Sequence, residues 1–192
     1  TTETYHGMSV RTEFSYDALG RKVRETVSDL QTGDCVSSEY EYDQVFKTSV
    51  SHQSEERVHN GALVQSQSIA YLYDHSSSNR IPATVTETRS GVSRITEIQC
   101  NNKFRPVRID YPGGRWTQYL WSADGRYLQS TTTNDSSNTT SYTWQDLVGL
   151  TSVTLPSGQS ESYTYDSKGR LSERKDSDGT STQTYQYHLN NE

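Results

Sequence analysis

A short pattern recurs along this chain: an aromatic residue, one intervening residue, a second aromatic, a polar residue, and within a few positions an arginine followed by an aliphatic residue. Its fullest copy is Tyr163-Thr-Tyr165-Asp166-Ser-Lys-Gly169-Arg170-Leu171. Phe14-Ser-Tyr16-Asp17, Tyr40-Glu-Tyr42-Asp43 and Tyr71-Leu-Tyr73-Asp74 repeat its opening clearly. Ile98-Gln-Cys100-Asn101, Tyr119-Leu-Trp121-Ser122, Tyr142-Thr-Trp144-Gln145 and Tyr185-Gln-Tyr187-His188 repeat it more loosely. The second anchors stand at 16, 42, 73, 100, 121, 144, 165 and 187, so the spacing falls from 26–31 residues in the first half to 21–23 in the second. Self-similarity at such a period marks a repeat array, whose units bury their apolar faces only against their neighbours.

The residues after each anchor say what a unit is. Gly20-Arg21, Gly125-Arg126 and Gly169-Arg170 each place the glycine four positions after the anchor aromatic. That spacing suits a hairpin whose type I turn ends on a residue of positive φ, the conformation glycine adopts most cheaply. An aspartate directly after the aromatic, as at Asp17, Asp43, Asp74 and Asp166, would cap the turn through its side chain. No role for the arginine follows from local rules alone. Midway between anchors lies a second set of turn signals, among them Gly33, Asn60-Gly61, Ser90-Gly91, Gly113-Gly114, Gly158 and Asp178-Gly179. The two sets alternate, which predicts about fifteen antiparallel strands and almost no helix.

Strand faces follow from parity. Tyr163 and Tyr165 alternate with Ser162 and Thr164, Tyr142 and Trp144 with Ser141 and Thr143, and Tyr185 and Tyr187 with Thr184 and Gln186. Period-two alternation with aromatic and β-branched enrichment marks a half-buried strand. The expected fold is all-β: consecutive β-hairpins in one curled, solenoid-like sheet, its concave side filled by Tyr, Trp and aliphatic residues. The curl is expected because strand twist accumulates and large open sheets do not stay flat. Residues 1–192 read as a single such array, and the opening Thr1-Thr2-Glu3 as the start of a piece of a longer protein.

Composition excludes several functions. Hydrophobic residues are 30% of the chain and mean hydropathy is −0.92, but 14 tyrosines supply what a disordered segment lacks. A net charge of −6 weighs against nucleic acid and anionic membrane surfaces as partners. No apolar run approaches the roughly 20 residues of a membrane helix. The two cysteines, Cys35 and Cys100, form no metal-type pair. His52 and His59 read as surface residues, and Asp176-Ser-Asp178-Gly179 as a hairpin turn lacking the glutamate that closes a calcium loop. No catalytic, metal or cofactor residues emerge, and no cofactor is expected.

The repeated residues resemble the YD repeats of the Rhs family, whose repeat follows the form Tyr-Asp-x-x-Gly-Arg-Leu. Residues 163–171 match it closely and residues 14–23 match it with Val23 in the place of leucine. Residues 43–105 hold it loosely. The resemblance covers essentially the whole chain and implies a long sheet of hairpins that spirals into a shell able to enclose a toxin domain. Bacterial polymorphic toxins, insecticidal toxin subunits and animal teneurins carry such repeats. The chain lacks the Asp-Pro-x-Gly-rich segment that ends toxin-associated cores. On this resemblance the expected structural motif residues are Tyr16, Asp17, Gly20, Arg21, Tyr42, Asp43, Tyr73, Asp74, Trp121, Gly125, Arg126, Trp144, Tyr165, Asp166, Gly169 and Arg170. The resemblance also implies a secreted or cell-surface bacterial location.

The expected function is therefore a noncatalytic structural or interaction scaffold, with an unidentified protein or glycan, or further repeats of its own chain, as partner. A carbohydrate-binding module is the alternative, and a part of a toxin-encapsulating shell the third. Trp116 is out of phase with Tyr119 and Trp121, so parity places it on the face opposite the ladder with Leu120. There it either contacts a sugar ring or protein partner, or packs against another part of the sheet.

Overall fold

The structure, a computed structural model, describes residues 2–5, 8–179 and 181–187. They form sixteen strands and no helix, and strand order in the sheet follows the chain. Two compact units divide the chain at Ile98/Gln99. The first holds β1 (Thr2–Tyr5), β2 (Met8–Tyr16), β3 (Lys22–Asp29), β4 (Cys35–Tyr42), β5 (Val50–His59), β6 (Ala62–Tyr73), β7 (Pro82–Arg89) and most of β8 (Val92–Cys100). The second holds β9 (Pro106–Asp110), β10 (Trp116–Trp121), β11 (Leu128–Thr133), β12 (Thr139–Gln145), β13 (Gly149–Thr154), β14 (Ser160–Tyr165), β15 (Leu171–Asp176) and β16 (Thr182–Thr184). The strand added to the expected fifteen or so is β1, which precedes the first anchor and lies outside the repeat pattern.

Both sets of turns form where the sequence places them. Gly20, Gly125 and Gly169 have φ of 75°, 74° and 73°. In the turn after β2, the Gly20 amide donates to the Asp17 carbonyl at 3.0 Å and the Asp17 amide to the Arg21 carbonyl at 2.9 Å. The turn after β14 repeats these bonds, at 2.9 Å from Gly169 to Asp166 and 2.8 Å from Asp166 to Arg170. On the other side, Asn60-Gly61 and Ser90-Gly91 are two-residue turns with both φ positive, the primed geometry whose twist matches the flanking strands. Phe104 (φ 57°) and Leu147 (φ 60°) occupy left-handed conformations elsewhere filled by glycine.

Six of the hairpins closed by an anchor carry a β-bulge beside it. Tyr16 pairs with Lys22 but Ser15 with Arg24, which leaves Val23 as an extra residue. The same shift occurs beside Tyr42, Tyr73, Trp121, Trp144 and Tyr165, with Ser51, Ala83, Gln129, Thr151 and Ser172 as the extra residues. A bulge takes one residue's backbone out of the ladder and sharpens the local twist. Sequence parity registers the strands but not these insertions.

Parity sorts the two faces as expected, but it does not produce a core. Tyr142, Val153, Glu161 and Asp176 stand in register on the ladder face, and Ser141, Thr154 and Ser160 on the other. Among the described residues no hydrophobic side chain is buried, and Trp144 is 38% exposed. The expectation of a filled concave side is corrected here: a sheet layer shields its ladder only laterally, and a dry interior needs a second layer.

One glycine is required for a reason unrelated to φ. A Cβ on Gly149 would lie 2.5 Å from the Tyr165 hydroxyl oxygen and 2.8 Å from its ring carbon, because the phenol crosses the start of β13 to reach the Leu150 carbonyl. A Cβ on Gly169 meets nothing within 4 Å, so its cost is backbone strain alone. Gly149→Ala is expected to destabilise by about 3 kcal/mol through overpacking and a displaced hydrogen bond. Gly169→Ala is expected to cost about 1 kcal/mol. Denaturant unfolding of both variants checks the order.

Candidate functional site

The candidate motif residues converge at the hairpin tips, where one carboxylate organises each full copy. The Asp17 Oδ1 accepts the Leu19 amide at 2.9 Å and the Arg21 amide at 3.0 Å, and its Oδ2 accepts Arg21 Nε at 2.6 Å. Asp166 repeats this with Lys168 at 2.8 Å, Arg170 N at 2.9 Å and Arg170 Nε at 2.8 Å. A chain reversal leaves amides without strand partners, and the short aspartate side chain satisfies two of them while pairing with the guanidinium. These contacts hold both carboxyls below the usual carboxylate range. For Asp17 the main cause is the Arg21 side chain, and for Asp166 the Arg170 amide.

The arginine has a second contact, which sequence reasoning left unassigned. Its guanidinium lies over the anchor aromatic of the next repeat: Arg21 is 4.2 Å from the Tyr42 ring centroid, Arg170 is 4.2 Å from that of Tyr187, and Arg105 is 5.5 Å from that of Trp121. A planar cation that pairs with its own turn and stacks on the neighbouring ring couples adjacent units, a geometry lysine does not reproduce.

The anchor ring also reaches backward. Tyr42 Oη donates to the Lys22 carbonyl at 2.9 Å, Tyr73 to Val50 at 2.8 Å, and Tyr165 to Leu150 at 2.8 Å. Tyr187 donates to Leu171 at 2.9 Å, Trp121 Nε1 to Pro106 at 2.7 Å, and Trp144 Nε1 to Leu128 at 2.6 Å. Lys22, Val50, Leu128, Leu150 and Leu171 are the strand partners of the preceding anchors Tyr16, Tyr42, Trp121, Trp144 and Tyr165. These five accepting carbonyls thus sit where a bulge interrupts the ladder. Tyrosine and tryptophan serve equally because both carry a donor at the far end of the ring.

Imperfect copies keep the geometry by substitution. Asn101 has no second carboxylate oxygen, and Arg105 Nε donates instead to the Gly125 carbonyl at 3.1 Å, while Asn101 Oδ1 still caps Lys103 and Arg105. Ser122 stands in the place of the aspartate, and Asp124 takes over the cap and the pairing with Arg126. Gly125 is buried against Lys103. Asp74 caps Ser76 without an arginine; Arg80 instead donates to Thr48 Oγ1 at 3.0 Å. Asp43, 8% exposed, accepts the Val45 and Phe46 amides and meets His75 Nε2 at 2.8 Å. His75 and Tyr127, which stacks on Trp144 at 5.4 Å, were missed because their contacts run between hairpins, and Asp124 because it stands two positions from where the motif has its aspartate.

Trp116 is half-buried with the Arg108 guanidinium 4.8 Å from its ring centroid, and Leu120 on its face is 58% exposed. Arg174 pairs across strands with Glu161 at 2.7 Å. Asp176 to Gly179 form a turn with Gly179 at φ 68°. Both cysteines are free. His188, in the last anchor copy, lies outside the described residues.

A family model described as the RHS repeat matches residues 146–182, the stretch that contains the fullest tip. Residues 146–182 carry an RHS-type repeat. The chain shares its fold with a chain of the crystal structure of TcdB2-TccC3-Cdc42, with 13% identity and a TM-score of 0.55 over 94% of its own length. It spans 11% of that chain's length. It also aligns with a chain of the Photorhabdus luminescens Tc holotoxin pore at 12% identity and a TM-score of 0.36, covering 89% of itself and 14% of that chain. No curated protein matches its sequence.

Two outcomes follow for the tips. Arg170→Lys is expected to lower the melting temperature by a few degrees, because the stacked and forked contacts are lost together. Arg105→Lys, which has no aspartate partner, is expected to lower it less. The carboxylates of Asp17 and Asp166 have folded pKa values depressed from 3.8. Their contribution is present above that value and is lost as pH falls through the lower folded values. Acid titration monitored by circular dichroism should show the loss below about pH 4, reduced in Asp17→Asn/Asp166→Asn.

Proposed function

We propose that this chain is a noncatalytic scaffold, a wall segment of YD repeats in a secreted or cell-surface bacterial protein. Its ladder face turns toward other polypeptide: further repeats, a partner protein, or a domain enclosed by the shell that the Rhs resemblance implies. The observation that carries this reading is the ladder face itself. It presents Tyr119, Trp121, Tyr142, Trp144, Tyr163 and Tyr165 on three strands of the second unit, yet none of them is buried. A half-shielded aromatic row gains by covering. The carboxylates of the tips are engaged in turns and arginine pairs, which suits a structural role. The fold shared with TcdB2-TccC3-Cdc42 fits a segment of a larger assembly.

A glycan platform at Trp116 has less support, since Arg108 covers its ring. Hydroxyl-radical footprinting of the full-length protein separates the readings. Trp121 and Trp144 are expected to be protected relative to this segment alone, and Trp116 to oxidise equally in both. Protection of Trp116 alone, together with glycan-array binding lost in Trp116→Ala, would favour the carbohydrate reading instead.

A further inference from the structure

A cleft of about 340 Å³ opens on the ladder face of the second unit, between the turn joining β13 to β14 and the turn joining β15 to β16. Val153, Leu155 and Tyr163 give it an apolar and aromatic lining. Register sets the arrangement: Val153 stands opposite Glu161, Glu161 opposite Asp176, and Tyr163 opposite Arg174. Asp176 is therefore a diagonal neighbour of Tyr163 on one face, close enough for a single long side chain to meet both.

The charges around the cleft are unequal. Glu161, Asp176 and Asp178 line it, and no basic side chain does. Glu161 is already matched: Arg174 forks onto it at 3.1 and 2.7 Å, and the Tyr163 hydroxyl donates to it at 2.5 Å. These contacts hold the Glu161 carboxyl below its usual range, with Arg174 the main cause. Asp176 shares β15 with Arg174 but feels that committed guanidinium only at longer range. The half-buried Asp176 carboxylate is left without an ion pair among the described residues.

An apolar lining beside an unmatched carboxylate suits a side chain with an apolar stem and a cationic head. The chain's own tips show which cation combines a carboxylate with an aromatic ring. Arg21 pairs with Asp17 and lies 4.2 Å from the Tyr42 centroid, and Arg170 stands in the same way between Asp166 and Tyr187. A planar guanidinium forks and stacks together, which an ammonium does not.

We propose that this cleft is a socket for an arginine side chain of the polypeptide that covers the ladder face. The inference rests on the reading above that another polypeptide lies on that face. The arginine stem runs over Val153 and Leu155, and its head meets the Tyr163 ring and pairs with Asp176. Asp178 adds negative potential at the rim. The socket also selects against other segments, because a neutral side chain laid there would cover the Asp176 carboxylate without pairing it.

Photo-cross-linking in the full-length protein tests the socket. A benzophenone amino acid at Gln159, an exposed residue lining the cleft, reports the socket itself. One at Thr131, opposite Tyr119 on the same face, reports the face away from it. Both are expected to capture polypeptide, and the peptide captured at Gln159 to carry an arginine next to the cross-linked residue. Replacing that arginine by glutamine, or Asp176→Asn, is expected to lower the Gln159 yield about two- to fivefold, the range of a partly exposed ion pair. The Thr131 yield should stay unchanged, and replacement of the arginine by lysine should cost less. Capture at Thr131 with none at Gln159, a captured peptide without arginine, or a Gln159 yield that neither substitution changes overturns the socket and leaves the scaffold reading standing. No capture from either position overturns both. Should Asp176→Asn fail to fold, substitution of the captured arginine decides alone.

Discussion

Six repeats of this sheet are fastened to the one before by a hydrogen bond from the tip of an aromatic ring to a backbone carbonyl, in five of them beside a bulge. The bond solves two problems together. A hairpin that bulges interrupts its ladder, and buried or half-buried backbone groups need partners. A ring lying on a sheet that has no covering layer needs something to hold it down. Tyr42, Tyr73, Trp121, Trp144, Tyr165 and Tyr187 meet both needs by donating at 2.6–2.9 Å. The requirement for a donor at the far end of the ring is why tyrosine or tryptophan, and not phenylalanine, stands at these six positions.

From that bond the rest of the tip follows. With the ring fixed, its outer face is available to the preceding arginine, whose guanidinium is held in plane by the turn aspartate. Gly149 is kept bare so that Tyr165 can pass. The array thus relies on short-range polar and stacking contacts between consecutive units, and each unit is as stable as its neighbours allow. A sheet built this way can be lengthened by adding repeats, and among the described residues its aromatic face is only partly shielded.

The hairpin succession, the two kinds of turn, the faces of the strands and the position of Trp116 were legible because each rests on a local rule: parity, positive φ at glycine, or aspartate capping. The motif residues were legible as a set, but their roles were not. Arg170 acts on Tyr187 and Tyr165 on Leu150, contacts that cross a whole hairpin and depend on bulges, which period-two patterning does not register. His75 and Asp124 were invisible for a related reason. They stand in for missing parts of imperfect copies, and a search for the motif passes over the residue that replaces it. The expected core failed because a count of aromatic residues says nothing about whether a second layer exists to enclose them.

The central claim is that the tip bond, not the ring as such, joins the repeats. A tyrosine-to-phenylalanine scan read by equilibrium denaturation tests it most directly. Tyr42→Phe, Tyr73→Phe and Tyr165→Phe are each predicted to cost about 1 kcal/mol, the typical value of a hydrogen bond lost to a carbonyl left behind. Tyr16, 60% exposed at the first anchor and without such a bond among the described residues, is predicted to tolerate the same change within a few tenths. Equal costs at all four positions, or none at Tyr42, Tyr73 and Tyr165, would contradict the account.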